Sequence, residues 1–162
     1  MVAATNPPAV GPLNVETLSS QLLNRAVGKP VLQVDEALND SDKTFTVPAN
    51  TTWEILSLWA ELTTTATVGN RQVALEIQDA AGDIIAQVRH GVTQAASLTR
   101  NYLFAPDVAD LTAFRDADYL SSAMPRLILP ESSIIRVFDK AAVDAAADDL
   151  VLQMMVVERV EI

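Results

Sequence analysis

Two stretches of the chain repeat one pattern: Thr46-Val-Pro-Ala-Asn-Thr-Thr-Trp-Glu-Ile-Leu56 and Leu129-Pro-Glu-Ser-Ser-Ile-Ile-Arg-Val-Phe138. In each, a proline follows an apolar residue, small polar residues make a turn, and a run rich in β-branched and aromatic residues sets off. Proline removes a ladder donor and fixes φ, so a strand starts after it rather than running through it. Strands that begin this way belong to antiparallel sandwiches. The rest of the body agrees, because its hydrophobic period is two. Val73, Leu75 and Ile77 alternate with Gln72, Glu76 and Gln78, and after the turn Asp79–Asp83 the segment Ile84–Val88 returns as the second strand of a hairpin. Trp53–Leu62 is longer and almost continuously apolar, as befits a strand covered on both sides. Ser97–Phe104, Leu127–Leu129, Ile134–Phe138 and Leu150–Val157 supply further strands, about seven or eight in all. One brief helix is expected over Asp107–Tyr119. The expected fold is all-β: an antiparallel β-sandwich of jelly-roll type with an extended N-terminal arm and one or two short helices.

The chain divides into an arm, residues 1–44, and a sandwich body, residues 45–162. Pro7, Pro8 and Pro12 fall within the first 14 residues, where large apolar groups are few, and predict an extended run over a surface. Asn14 can cap a short helix that places Val15, Leu18, Leu22, Leu23 and Val27 near one face before Gly28-Lys29-Pro30 ends it. Val31, Leu32 and Val34 permit a short strand from Pro30 to Asp35, and Asn39–Lys43 reads as a loop.

At 162 residues and 49% apolar content the chain is long enough to bury a core by packing alone. It has no cysteine, so disulfides and thiolate metal sites are excluded. A formal net charge of -10 opposes binding to a phosphate backbone, and nucleic acid is not an expected partner. The N-terminus lacks a basic segment followed by an apolar one, and no stretch reaches the roughly 18 apolar residues of a membrane span. A soluble protein without a signal peptide and without membrane contact is therefore expected.

Candidates for chemistry are few. His90 is the single histidine, and one imidazole without a second histidine or a cysteine does not build a usual zinc site; a structural role is the expectation. Asp107, Asp110, Asp116 and Asp118 cluster in sequence, as do Asp144, Asp148 and Asp149, and hard oxygen ligands gathered in loops are what calcium needs. Neither run follows the EF-hand pattern, and aspartates commonly cap turns, so no metal and no cofactor are expected. No Gly-x-Ser-x-Gly elbow surrounds a serine, and five glycines leave no phosphate-binding loop. No enzyme activity is expected. Trp53 and Trp59 lie six apart on one strand, which by simple alternation puts them on the same side, as a core, an interface or a sugar-stacking platform.

Leu150–Val157 is apolar at both alternating sets of positions, as is much of Ile55–Leu62, whereas one sandwich has a single inner face per sheet to fill. Surplus apolar faces meet another subunit or are covered by the N-terminal helix. Trp59 and Met155 are the body residues expected at such an interface, and Val10, Leu13, Leu18 and Leu22 those of the arm.

Five phrases carry a resemblance: Val47-Pro-Ala-Asn-Thr-Thr-Trp-Glu-Ile-Leu56, Thr67–Val73, Gly91–Tyr102, Asp110–Tyr119 and Asp139–Asp149. Across residues 45–157 the chain resembles small virion structural proteins of tailed bacteriophages. The resemblance implies a jelly-roll piece added to a capsid or tail, with no catalytic motif to carry over. It implies a capsid cement or decoration protein that forms a homo-oligomer, with a trimer the expected number, over junctions of the major capsid protein. Its place would be the virion exterior, after synthesis in the host cytoplasm. A tail, neck, baseplate or fibre-adaptor subunit is the alternative, and a carbohydrate-binding module a further one.

Overall fold

The computed structural model describes residues 28–108 and 116–161. Ten strands are present among them: β1 Lys29–Asp35, β2 Asp42–Thr46, β3 Thr51–Thr63, β4 Val73–Gln78, β5 Ile84–Arg89, β6 Thr99–Ala105, β7 Tyr119–Ala123, β8 Ile128–Leu129, β9 Ile134–Asp139 and β10 Asp149–Val160. The larger sheet runs β1-β10-β3-β6-β7, with β8 beside the first half of β3, and the smaller runs β2-β9-β4-β5. The chain crosses between sheets from β1 to β2, β2 to β3, β3 to β4, β5 to β6, β8 to β9 and β9 to β10. The core pairings are 1-10-3-6 in one sheet and 2-9-4-5 in the other, a jelly-roll-like order. All pairs are antiparallel except β6 with β7, which is parallel.

The expected hairpin is β4–β5. Asp79 Oδ1 accepts the N–H groups of Ala81 and Asp83 at 2.8 and 2.9 Å, and Gly82 takes the positive φ of 88° that the turn requires. The Pro48 and Pro130 turns precede β3 and β9 as the repeated pattern predicts. They also meet: the N–H of Val47 donates to Ser133 O and that of Ser132 to Val47 O, both at 2.9 Å.

Three expectations are corrected. The sandwich reaches back to Lys29 rather than starting at residue 45, since β1 is laid along β10 and β2 along β9. β2 occupies part of what reads as a loop, because Lys43 points inward from the strand. Its side chain is 2% exposed, and its ammonium donates to Ala37 O at 2.7 Å and to Asn39 Oδ1 and lies 3.4 Å from Asp40. The stem thus packs as an apolar residue while the charge returns to the loop. The helix expected over Asp107–Tyr119 does not hold at its ends: Asp107 and Asp118 sit in turns and Tyr119 opens β7, while residues 109–115 lie outside the described ones, as does the helix expected over residues 14–27.

The inner faces form one core. Ile55, Leu58, Ala60 and Leu62 of β3, Leu150, Leu152, Met154 and Val156 of β10, Tyr102 and Phe104 of β6, Val73, Leu75 and Ile77 of β4, and Ile135 and Val137 of β9 are all essentially inaccessible. Each large side chain buried this way contributes about 1.5–3 kcal/mol relative to exposure.

One end of the sandwich is closed by a buried polar network. Arg71 and Asp148 are both 0% exposed; Nε donates to Asp148 Oδ2 at 2.7 Å and Nη2 to Oδ1 at 3.1 Å. The remaining donors reach Thr67 O and Gly69 O at 2.7 and 3.0 Å, and Asp148 Oδ1 also accepts the N–H of Thr65. Arg71 pairs through its backbone with Gln94, whose side-chain amide donates to Leu62 O and Leu98 O at 2.8 Å and accepts from the Tyr102 hydroxyl at 2.8 Å. Burial pushes that hydroxyl up to about 12. Three loops are thereby tied by one guanidinium and one amide.

A second clasp lies on the outer side of the larger sheet. Glu54, 5% exposed, accepts from Arg159 Nη2 at 2.8 Å and Arg126 Nε at 2.7 Å. These two guanidinium groups hold its carboxyl below the ordinary value of 4.5.

Two outcomes follow from these clasps. Asp148→Ala strands a buried guanidinium and is expected to cost about 3–5 kcal/mol in chemical denaturation, with replacement of both Arg71 and Asp148 by apolar residues of similar volume costing less than this single change. Glu54, depressed in the folded state, contributes stability that is complete above pH 4.5 and is lost as pH falls through its lowered value. Glu54→Gln is expected to lower the urea midpoint at neutral pH and to flatten its further fall below pH 4.5.

Candidate functional site

The candidate site is the outer face of the larger sheet, and a β-bulge makes it. β10 faces β3 in steady register from Asp149↔Thr63 to Met155↔Ser57, then jumps to Val156↔Ile55, which leaves Leu56 as the extra residue. Before Leu56 the odd-numbered residues of β3 point inward; after it the even-numbered ones do. Trp53 is therefore buried at 2% exposure, with Nε1 donating to Glu158 at 3.1 Å. Trp59 emerges on the opposite, outer face. The expectation that the two tryptophans share a side is overturned, and with it any platform made of both rings.

Around Trp59 the strand registers set neighbouring rows. One row runs Leu32–Met155–Ser57 across β1, β10 and β3, and the next runs Val34–Gln153–Trp59–Leu103 out to β6. Leu32 and Val34 are 51% and 46% exposed, and Met155, Trp59 and Leu103 are half-buried. Trp59 Nε1 donates to Asn101 Oδ1 at 3.2 Å, which fixes the indole against β6. The two rows are themselves built of uncharged residues, and the carboxylate of Glu36 accepts from the side-chain amide of Gln153 at 2.7 Å. The row on one side carries Val157 beside the neutralised Glu54, and the row on the other carries Val151, Glu61 and Asn101.

The outer face of the smaller sheet is of a different kind. Its rows are Asp42–Phe138–Ala74–Arg89 and Thr44–Arg136–Glu76–Gln87. Arg136 donates to Asp42 through Nε at 2.8 Å and covers the Phe138 ring, 4.2 Å from its centroid. The guanidinium shields the one large aromatic group of that face.

Of the residues expected at an interface, Trp59 and Met155 come together on this outer face, in adjacent rows; Val10, Leu13, Leu18 and Leu22 lie outside the described residues. Leu32, Val34, Leu103 and Val157 join the face without having been singled out. The signal was there for β1, whose alternation was visible, but its edge position beside β10 was not.

The aspartate clusters serve the loops. Asp144 accepts from the hydroxyls of Thr65 and Thr67 at 2.6 and 2.8 Å, which lower its pKa, and Asp148 is taken by Arg71. Asp118 pairs with Arg100 at 3.4 Å, and Asp110 lies outside the described residues. Among the described residues no group of three or more His, Cys, Asp or Glu side chains is placed to hold a metal ion. His90, 4% exposed, packs edge-on to Tyr102 at 5.1 Å, and its Nδ1 accepts the N–H of Val92 at 3.1 Å.

No family model and no curated protein matches the chain. Among solved structures, turnip yellow mosaic virus aligns at 10% identity and a TM-score of 0.33, covering 99% of this chain and 88% of that one. Desmodium yellow mottle tymovirus aligns at 12% identity and a TM-score of 0.28, covering 99% and 95%. An arabinose-bound α-L-arabinofuranosidase aligns at 13% identity and a TM-score of 0.31; 82% of this chain is covered, and the chain spans 17% of that enzyme's length.

Proposed function

We propose that this chain is a non-enzymatic structural subunit of a tailed-phage virion, a cement or decoration protein that binds the major capsid protein as a homo-oligomer. The observation that carries the reading is the contrast between the two outer faces. One presents uncharged rows centred on Trp59 and Met155, and the other is covered by ion pairs. A sandwich so divided suits a piece that adds to an assembly through one face and meets water with the other.

The phage resemblance supports the same reading through the residues that carry it. Its phrases hold Thr67, Arg71, Gln94, Asp144 and Asp148, and these residues converge on the buried network at one end of the sandwich. The phrases that carry the resemblance thus lie on a scaffold rather than on a reaction centre. Jelly-roll sandwiches serve capsids and lectins alike, so the fold by itself does not choose between them.

The mechanism is mass action. A subunit that binds only the assembled lattice stabilises it by about 2.7 kcal/mol per site at a free concentration one hundred times its Kd. The net charge of -10 fits an exterior position, away from packaged DNA.

Cryo-electron microscopy of purified particles, with head and tail symmetry applied separately, tests this. Density for the sandwich repeating over the capsid lattice is expected; a ring of a few copies at the neck or tail tip would assign the chain to a connector or baseplate instead. Deleting residues 1–28 is expected to abolish capsid binding, measured by co-sedimentation with particles, and undiminished binding would remove the arm from the contact.

A further inference from the structure

We infer that β5, the free edge of the smaller sheet, pairs antiparallel with β5 of a second copy of this chain about a two-fold axis. The inference deepens the reading of the chain as a homo-oligomer and rests on it.

The four strands at the ends of the two sheets are not alike. β1 carries Pro30 between Lys29 and, further on, Asp35, and β2 carries Asp42 and the inward Lys43; prolines and charges of this kind keep an edge from pairing. β7 exposes none of its large apolar side chains. β5 runs Ile84-Ile85-Ala86-Gln87-Val88 before its one charge, Arg89, and Ile84 and Ile85 are 57% and 59% exposed. A bulge accounts for two exposed neighbours in succession: Ile77 faces Ala86 and Gln78 faces Ile84, so Ile85 is the extra residue. Beyond it the ladder is regular, and the N–H of His90 donates to Val73 O at 2.9 Å. By alternation Ala86 and Val88 turn their backbone groups toward β4, whereas Gln87 and Arg89 turn theirs outward to the open edge.

The charges at the two ends of the strand choose the occupant. Asp83 precedes β5 and Arg89 closes it; both are exposed, and among the described residues neither has an oppositely charged partner. Arg89 Nε donates to Gln87 Oε1 at 2.9 Å. The acid of the adjacent row, Glu76, is 3% exposed, accepts from Gln78 and Gln87 and lies 4.0 Å from Arg136, so it stays within its own copy. Asp79 is taken up by the N–H groups of the turn. An antiparallel pairing centred on Gln87 sets that residue against its own image, Val88 against Ala86 of the second copy, and Arg89 against Ile85 with Asp83 one diagonal step away, within reach of a long side chain. The same contact recurs on the other side of the axis, as an isologous interface requires. A parallel arrangement would instead set Arg89 beside Arg89 and Asp83 beside Asp83. An edge contact also leaves the two bodies, at -10 each, side by side rather than face to face. It joins two four-stranded sheets into one and yields a dimer, in place of the trimer expected from the resemblance.

Native mass spectrometry, light scattering and hydrogen exchange on the full-length chain test the inference. The wild type is expected to be a dimer in which the Gln87 and Arg89 amides exchange slowly, and to lose that protection on dilution to monomer. Arg89→Glu and Asp83→Arg, each at an exposed position, are each expected to weaken the dimer about 10-fold by setting like charges across the axis, and the two together are expected to restore it. Matching circular dichroism establishes that the variants fold. A trimeric or monomeric wild type overturns the inference, as does a dimer that neither single variant weakens or that the double variant fails to restore. A monomer whose Gln87 and Arg89 amides become protected only on purified capsids also overturns it and assigns the edge to a strand of the capsid protein. The dimer is read in solution, whereas the cement reading is judged by position in the particle, so either can fail without the other.

Discussion

The long antiparallel pairing of β3 with β10 governs the rest of the structure. These two strands lie at the centre of the larger sheet: β1 is added to β10, β6 and β8 to β3, and β7 follows on β6. Their shared inner positions supply much of the core, and their shared outer positions form the middle of the face that carries Trp59 and Met155. A single extra residue, Leu56, sets which side chains go where. A bulge raises local twist and reverses the alternation on one strand only, so the side chains before and after it serve opposite faces. Without that reversal Trp53 and Trp59 would compete for one side of the sheet.

The buried network at the sandwich end complements this pairing. Arg71 and Asp148 belong to loops far apart in sequence, and neither would be stable in the interior alone. Thr65, Thr67, Gly69 and Gln94 satisfy the remaining donors and acceptors, which makes the burial tolerable. Such a network adds less net stability than an apolar core of equal volume. Its effect is to define one arrangement of the loops.

Much of the architecture was legible because its signals are local. The Asp79–Asp83 turn, the alternation of Val73, Leu75 and Ile77, and the prolines at the starts of β3 and β9 all act within a few residues. What was not legible depends on partners distant in sequence. β2 reads as a polar loop because Asp42, Lys43 and Thr44 have no apolar pattern, yet Lys43 buries its stem once Ala37 and Asn39 lie above it. β7 gains its strand from parallel pairing with β6, which Leu120-Ser-Ser-Ala123 does not announce. The candidate face was half legible: Trp59 and Met155 followed from the surplus of apolar positions on β3 and β10. Leu32 and Val34 became part of it only through the register of β1, and the bulge, which no composition signals, decided which tryptophan belongs there.

That division gives the molecule two optical reporters in different surroundings. Trp53 sits in the dry interior against Glu158, so its emission follows the integrity of the core. Trp59 lies half-buried on the outer face, where emission responds to whatever excludes water from that surface. Unfolding of the core and the wetting of the outer face therefore have separate intrinsic probes within one strand, and replacing either ring by phenylalanine isolates the signal of the other.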